Sequence, residues 1–476
     1  MPFDDKHFNA RQRFTSGTGH LVGIGGAGMS VIAEIMHSQG IRVQGSDRQE
    51  SAVTEHLRAR GINVFVGHKT EQIQGADYLV VSSAIKADNP EYFRAQELGL
   101  EILHRSQALA FLTETKRLIA VAGAHGKTTT SGMLASALLH LELDPSFALG
   151  ADLVSDGVSL PGGRSGGGKM FVIEADESDG SFLNYVPDVA LLTNIEADHL
   201  DNHKDSSAID DLFLHFVGRI ASGGVLVCCG DDSGVQRLLR NELPVQTTTY
   251  GFEHSNDYVI EQVSSLENTF GSAFELVTTD ALGEERYQIQ INVPGIHNVL
   301  NAAGAFVALL RVGVSGRDAA LALASFNGAK RRFDLKRQGD LTVIDDYAHH
   351  PTEVDAFLKA VELHFPGRRK IAVFQPHLYS RTQAFKNEFA TALAAAEVVI
   401  LDEIYAAREI ADGTVTSQLI VDLVNKISPG KASYVPGAEK ILAHLASQVQ
   451  PGDVVLSIGA GDITALSDLI AERIKL

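Results

Sequence analysis

Residues 117–130 read Arg117-Leu-Ile-Ala-Val-Ala-Gly-Ala-His-Gly-Lys-Thr-Thr-Thr130. The apolar run Leu118 to Ala122 predicts a buried strand, Gly123 and Gly126 a tight turn, and Ser131 to Leu141 a helix. Strand, glycine loop and helix in that order are the setting of a phosphate loop. Glycines let backbone N–H groups close around phosphate oxygens, and the helix start adds the positive end of its dipole. Lys127 can reach β- and γ-phosphates, and the hydroxyl of Thr128 or Thr129 can ligate Mg²⁺. The longer form of the motif would need a glycine at 121, where Val121 stands; the loop here is the shorter Gly123-x-x-Gly126-Lys127-Thr128.

Outward from this stretch, short apolar strands alternate with helical segments in three successive sets, the doubly wound pattern of α/β folds. The first set has strands at His20–Ile24, Arg42–Gly45 and Tyr78–Ser82, a helix running to about Gln39 and another at Val53–Arg60, and ends near 110. The second has strands at Arg117–Ala122, Lys169–Ala175, Val189–Thr193 and Gly224–Cys229, an alternating stretch near 257–293 that suggests antiparallel pairing, and a helix at Asn298–Val312. The third begins near 328 and carries strands at Leu341–Ile344, Lys370–Phe374, Val398–Leu401 and Asp453–Ile458. Expected domains are therefore 1–110, 111–327 and 328–476. The glycine-rich stretch Pro161 to Gly168 reads as a flexible loop.

A chain of 476 residues exceeds one hydrophobic core. Its 59 acidic against 40 basic residues leave a formal charge of −19, which argues against nucleic-acid binding. Cys228 and Cys229 are adjacent in an apolar run, so neither a disulfide nor a metal pair is expected. The charged start, Met1 to Arg13, has no apolar signal segment, and no run is long enough to span a bilayer, so the expected location is the cytoplasm.

Two further strands end in polar clusters: Glu174-Ala-Asp-Glu-Ser-Asp-Gly180, and Thr193-Asn-Ile-Glu-Ala-Asp-His199. Ligands of doubly wound sheets sit beyond the carboxyl ends of strands. Beside a phosphate loop, carboxylates there can hold Mg²⁺. Glu174, at the strand end, is the better ligand; the residues after it are expected to turn outwards, and His199 could bind a second metal. A second glycine loop, Gly23-x-Gly25-x-x-Gly28, follows the first strand, with Asp47 about 20 residues on at the place of a ribose-binding acid. Alone it would support a NAD-dependent oxidoreductase, but it serves the pyrophosphate of UDP equally well.

These motifs, with Gly295-Ile-His-Asn298, Asn301, Arg331-Arg-Phe333, Asp345-Asp-Tyr-Ala-His-His-Pro351 and Phe374-Gln-Pro-His377, resemble the Mur ligase family in order and over essentially the whole chain. The resemblance implies three domains: a Rossmann-like one for a UDP-sugar, a central ATPase with a mainly parallel sheet, and a Rossmann-like one for the amino acid. It implies ATP-dependent joining of L-alanine to the carboxylate of UDP-N-acetylmuramate through an acyl phosphate, with Mg²⁺ or Mn²⁺, as a monomer or homodimer. A member that reattaches a recycled tripeptide is the alternative.

Carried over residue by residue, the resemblance assigns the UDP-sugar to Gly25, Gly26, Ala27, Gly28, Met29, Ser46, Asp47, His68, Ser82, Ser83, Ala84 and Arg105. It assigns ATP to Gly123, Ala124, His125, Gly126, Lys127, Thr128, Thr129, Asn194, His297, Asn298, Asn301, Arg332 and Asp346. Metal falls to Thr128, Glu174 and His199, and the amino acid to Tyr347, His349 and Arg381. Lys127, Glu174, His199, Arg332 and His349 carry the chemistry, with His349 as candidate proton acceptor. Two positions depart from the family pattern: Ala124 stands for a Thr, and Leu378 for an Arg, which puts one substrate-carboxylate contact in doubt.

Overall fold

The structure is a computed structural model and describes residues 12–177, 180–196, 206–266, 270–280, 283–407, 409–411 and 413–475. The chain forms two compact units: Met1–Gln262 with Phe274–Gln290 and Leu300–Phe326, and Val263–Ala273 with Ile291–Val299 and Asn327–Leu476.

The first unit opens with a parallel five-stranded sheet in the order Asn63–Val66, Arg42–Asp47, Thr18–Val22, Tyr78–Val81, Glu101–His104. The two edge strands, Asn63–Val66 and Glu101–His104, are four residues long and partly polar, which is why apolar periodicity alone misses them. Helix Ala27–Ser38 follows the glycine loop. Helix Ala52–Ala59 starts at a reciprocal Ser51–Thr54 cap, and Pro90–Glu97 at Asn89, whose side chain accepts from Glu91 and Tyr92 N–H.

The larger sheet of this unit is built on Arg117–Ala122, flanked in parallel by Met170–Glu174 and Val189–Leu192. These strands are buried on both faces, so they read as continuous apolar runs. Val225–Cys229 and Gln246–Gly251 continue the sheet in parallel, and the alternating stretch forms three successive neighbouring strands, Tyr258–Ser265, Ser272–Asp280 and Gly283–Ile291. Cys228 and Cys229 are free and buried.

The helix after the phosphate loop runs Lys127–His140, four residues earlier than its apolar pattern suggests. Gly126, in the left-handed region at φ 84°, caps it, and the hydroxyls of Thr130 and Ser131 bond back to Gly126 O and Lys127 O. The stretch Pro161 to Gly168 is not a loose loop. Gly167 N donates to Asp144 Oδ2 at 2.6 Å, Gly168 N to Asp144 O at 2.8 Å, and Lys116 Nζ to Gly166 O. A Cβ on Gly168 would stand 1.9 Å from Leu143 O, so the glycines serve close backbone approach rather than mobility.

In the second unit a six-stranded sheet runs Asp334–Arg337, Thr342–Asp346, Val454–Ile458, Lys370–Phe374, Val398–Leu401, Ala432–Tyr434. Only the first pair is antiparallel. Its helices bury apolar faces in one cluster around Ile344, Phe357, Phe374 and Leu456 and another around Val343, Ile371 and Leu466. Among the described residues no helix is long and apolar enough to cross a membrane.

Candidate functional site

At the phosphate loop, Lys127 Nζ donates to Gly123 O at 2.6 Å, to Ala124 O at 3.1 Å and to Glu177 Oε2 at 2.9 Å. Burial pushes its ammonium down, but Glu177, Asp176 and Glu174 outweigh burial and hold it above the ordinary lysine range. Thr128 Oγ1 lies 3.0 and 2.9 Å from the two Glu174 oxygens, and Gly150 N donates to Glu174 Oε2 at 2.9 Å. Glu174 therefore sits where expected. Glu177 does not turn outwards: it is 6% exposed and salt-bridged to Lys127. The Lys127 ammonium draws it inwards, which no local pattern in an acidic run reveals.

Asn194 holds the loop itself. Its side chain accepts from His125 N at 2.9 Å and donates to His125 O at 2.9 Å, and its carbonyl accepts from Ala124 N at 3.4 Å. Asn301 Oδ1 would stand 2.5 Å from a Cβ on Gly126, so that position must be glycine for two reasons, space and φ. His125 Nε2 pairs with Glu196 Oε2 at 3.2 Å. His199 lies outside the described residues.

At the first glycine loop, Gly23 N and Ile24 N donate to Ser46 O, and Gly25 N to Asp47 Oδ2 at 2.9 Å. Arg105, at the start of helix Arg105–Thr113, reaches over the next turn: a Cβ on Gly28 would meet its Nη1 at 2.8 Å. Its Nη2 is 3.8 Å from Asp176 of the acidic run. Ser82, Ser83 and Ala84 follow Tyr78–Val81, with Ser83 Oγ 3.1 Å from His104 Nε2. The Met29 side chain is in the core and its N–H bonds Gly26 O, so Met29 serves the helix. A cavity of about 240 Å³ opens beside the first loop and reaches the acidic strand end; Gly28, Ile32, Arg105, Leu109, Glu174 and Asp176 are among its walls.

In the second unit the Tyr347 ring carries the Arg331 guanidinium 4.6 Å from its centroid and that of Arg332 at 5.1 Å. Asp346 accepts from Phe333 N and Ala348 N, both at 2.8 Å; burial pushes its carboxyl up to about 6, against Arg332 and these bonds. Burial pushes His297 down to about 4, and Arg332 adds to it. Asn298 Nδ2 donates to Pro294 O at 2.6 Å. His349 Nδ1 lies 3.0 Å from Tyr347 O and 3.1 Å from Glu353 Oε2. Both partners accept, so Nδ1 carries a hydrogen, and in the neutral ring that leaves the lone pair on Nε2. Glu353 also lies 3.6 Å from Arg332. It escaped the sequence reading, although its place four residues after His349 at a helix start was a usable signal. His349, His377 and Tyr405 form a run of rings, and Arg381 Nη1 is 3.5 Å from His377 Nδ1. Leu378, at φ 68°, is buried and presents no charge there.

Family models match nearly the whole chain: the Mur ligase family catalytic domain over residues 18–117, the Mur ligase middle domain over 121–309, and the Mur ligase glutamate ligase domain over 331–461. The chain belongs to the Mur ligase family. It is 44% identical over 461 residues to the UDP-N-acetylmuramate–L-alanine ligase of Saccharopolyspora erythraea, covering 95% of this chain and 92% of that protein. To the enzyme of that name from Renibacterium salmoninarum it is 42% identical over 458 residues, with 96% and 95% covered. Among solved structures, the UDP-N-acetylmuramate-alanine ligase of Thermotoga maritima matches with TM-score 0.78 at 29% identity, over 96% of this chain and 98% of that one. A murein peptide ligase from Psychrobacter arcticus matches with TM-score 0.70 at 25% identity, over 97% and 100%. The fold is thus the three-domain Mur ligase architecture, α/β with mostly parallel sheets.

Proposed function

We infer that this protein is an ATP-dependent ligase that joins L-alanine to the carboxylate of UDP-N-acetylmuramate, a step of peptidoglycan precursor synthesis. The observation that carries the reading at the level of residues is the cavity whose walls include Gly28 of the first loop, Arg105, and Glu174, the partner of Thr128. A substrate whose diphosphate rests on the first helix start, under Arg105, has its far end directed towards Glu174 and the phosphate loop. A carboxylate is a poor electrophile because its leaving group would be oxide. Phosphorylation turns that oxide into phosphate, and the amine of the amino acid then attacks the acyl carbon.

Lys127 and Arg332 would neutralise charge on the transferring phosphoryl group. The Glu174 carboxylate and Thr128 hydroxyl, in mutual contact, are hard oxygen donors that suit Mg²⁺ or Mn²⁺, with His199 as a further ligand. The metal would supply charge neutralisation at the phosphates. Asn194 would act by shaping the loop, and Asn301, His297, Asn298 and Asp346 would serve the nucleotide. Tyr347, His349 and Arg381 would receive L-alanine, with His349 Nε2 accepting the amine proton. Arg381 would take the carboxylate contact that Leu378 cannot make. The corresponding domains are 1–110, 111–327 and 328–476, and the place of action is the cytoplasm.

The likeness to a murein peptide ligase keeps a second reading in view, reattachment of a tripeptide. Phosphate release with ATP and UDP-N-acetylmuramate, scanned over single amino acids and the tripeptide L-Ala-γ-D-Glu-meso-diaminopimelate, decides between them. L-Alanine should give the highest kcat/KM. Glycine, short of one methyl group, should follow by roughly 10- to 200-fold. A tripeptide that outperforms L-alanine would overturn the reading.

A further inference from the structure

Four polar residues distant in sequence meet inside the first sheet's layer. His20 lies on strand Thr18–Val22, Ser46 on Arg42–Asp47, His68 just beyond Asn63–Val66, and Glu91 in the first turn of helix Pro90–Glu97. His20, Ser46 and Glu91 are 0% exposed, whereas the His68 side chain is 20% exposed. Ser46 Oγ donates to Glu91 Oε2 at 2.5 Å. His68 Nδ1 is 2.9 Å from Ser46 Oγ and 3.1 Å from Glu91 Oε2, and His20 Nε2 faces Glu91 Oε1 at 3.5 Å. A buried carboxylate without a structural task is expensive to keep, and this one is converged on from three strands.

The hydrogens can be placed by elimination. Burial pushes the Glu91 carboxyl up, but His20, Ser46 and His68 outweigh it and hold it below the ordinary range, so it is an acceptor. Ser46 has one hydroxyl hydrogen, and it points at Glu91. Ser46 can therefore only accept from His68, so His68 Nδ1 carries the ring hydrogen. The Gln44 amide, fixed by its bond to Gln72 O at 3.0 Å, likewise donates to His20 Nδ1 at 3.3 Å and leaves the His20 hydrogen facing Glu91. In the neutral ring that tautomer leaves the lone pair on His68 Nε2, and among the described residues none takes it.

His68 also has a defined place. Along the sheet from Thr18–Val22 come Arg42–Asp47 and then Asn63–Val66, and Gly67 N is tied to Asp47 O at 2.8 Å. A nucleotide with its diphosphate on Gly25–Gly28 and its ribose at Asp47 carries its base onward to His68. We infer that Glu91, acting through Ser46 and His68, is a positioning residue for base recognition: it fixes Nε2 as an acceptor for the N3–H of uracil, and so rejects cytosine, whose N3 has no hydrogen. This rests on the nucleotide-sugar reading of the first glycine loop.

Calorimetric titration of the full chain with UDP and with CDP tests it, together with H68F, E91Q and R105A. The wild-type chain should prefer UDP by roughly 10- to 100-fold. H68F and E91Q should abolish the preference by weakening UDP alone, and should raise KM for the UDP-sugar with kcat held within about twofold. R105A should weaken UDP and CDP equally. Imidazole ¹⁵N shifts of the wild-type chain should report His68 protonated at Nδ1, a readout that survives if E91Q does not fold. If R105A loses affinity while H68F keeps the wild-type preference, or if His68 is protonated at Nε2, this inference alone falls. If R105A and H68F both bind UDP like wild type, the nucleotide-sugar site is misplaced and both readings fall.

Discussion

The two glycine loops share one plan, strand then glycines then helix, but hold their charges differently. In Gly23–Gly28 the loop contains no cation. Asp47 of the adjoining strand takes Gly25 N–H, and the positive group, Arg105, comes from a helix nearly eighty residues away. In Gly123–Lys127 the cation is part of the loop, is caged by Glu177 and two carbonyls, and is followed by a hydroxyl resting on Glu174. The first arrangement suits an anion that is held unchanged. The second suits one whose charge is redistributed during reaction, because a cation and a hard oxygen cluster stand on either side of it.

The largest expected break in this comparison is Lys127→Ala. Ligation should fall by at least about a thousandfold, the scale of losing a preorganised charge partner. UDP-N-acetylmuramate affinity, read by calorimetry, should stay within about twofold. Joint loss of sugar binding and activity in a folded variant would show that the loops do not serve separate ligands.

Glu174→Ala should act next most strongly and only on the second loop. Titrating Mg²⁺ against initial rate should show a demand raised by roughly 10- to 100-fold, the usual loss when a ligand of a metal or its support is removed. An unchanged Mg²⁺ dependence would leave Glu174 as a support for Thr128 and Gly150 alone.

The smallest effect sharpens the contrast. Glu177→Gln frees Lys127 from its carboxylate and removes a negative charge near the phosphates. ADP should then bind tighter by roughly fivefold, the scale of removing one like charge near the phosphates at an effective dielectric of about 20, with UDP-sugar affinity unaltered. Weaker ADP binding would mean that Glu177 orients Lys127 rather than competing for it.

Much of this was legible in advance, for a physical reason that also marks the limit. Arg117–Ala122, Lys370–Phe374 and Val398–Leu401 were read to the residue, since strands buried on both faces are continuous apolar runs bounded by turns. Both glycine loops followed from spacing, because backbone that must approach phosphate or adopt positive φ admits few residues other than glycine. The strands Asn63–Val66 and Glu101–His104 were not legible, being short and partly polar.

Sequence by itself thus determined the alternation of strands and helices, the place of the two loops, and that Glu174 ends its strand beside the second of them. Tertiary structure alone decided that Glu177 turns inward, that Asp144 and Lys116 pin the glycine stretch 163–168, and that Glu91 meets His20, Ser46 and His68. Each of those pairings joins residues set by strand order and register, and none is written in local periodicity: an acid in an acidic run looks the same whether its partner is water or an ammonium fifty positions away.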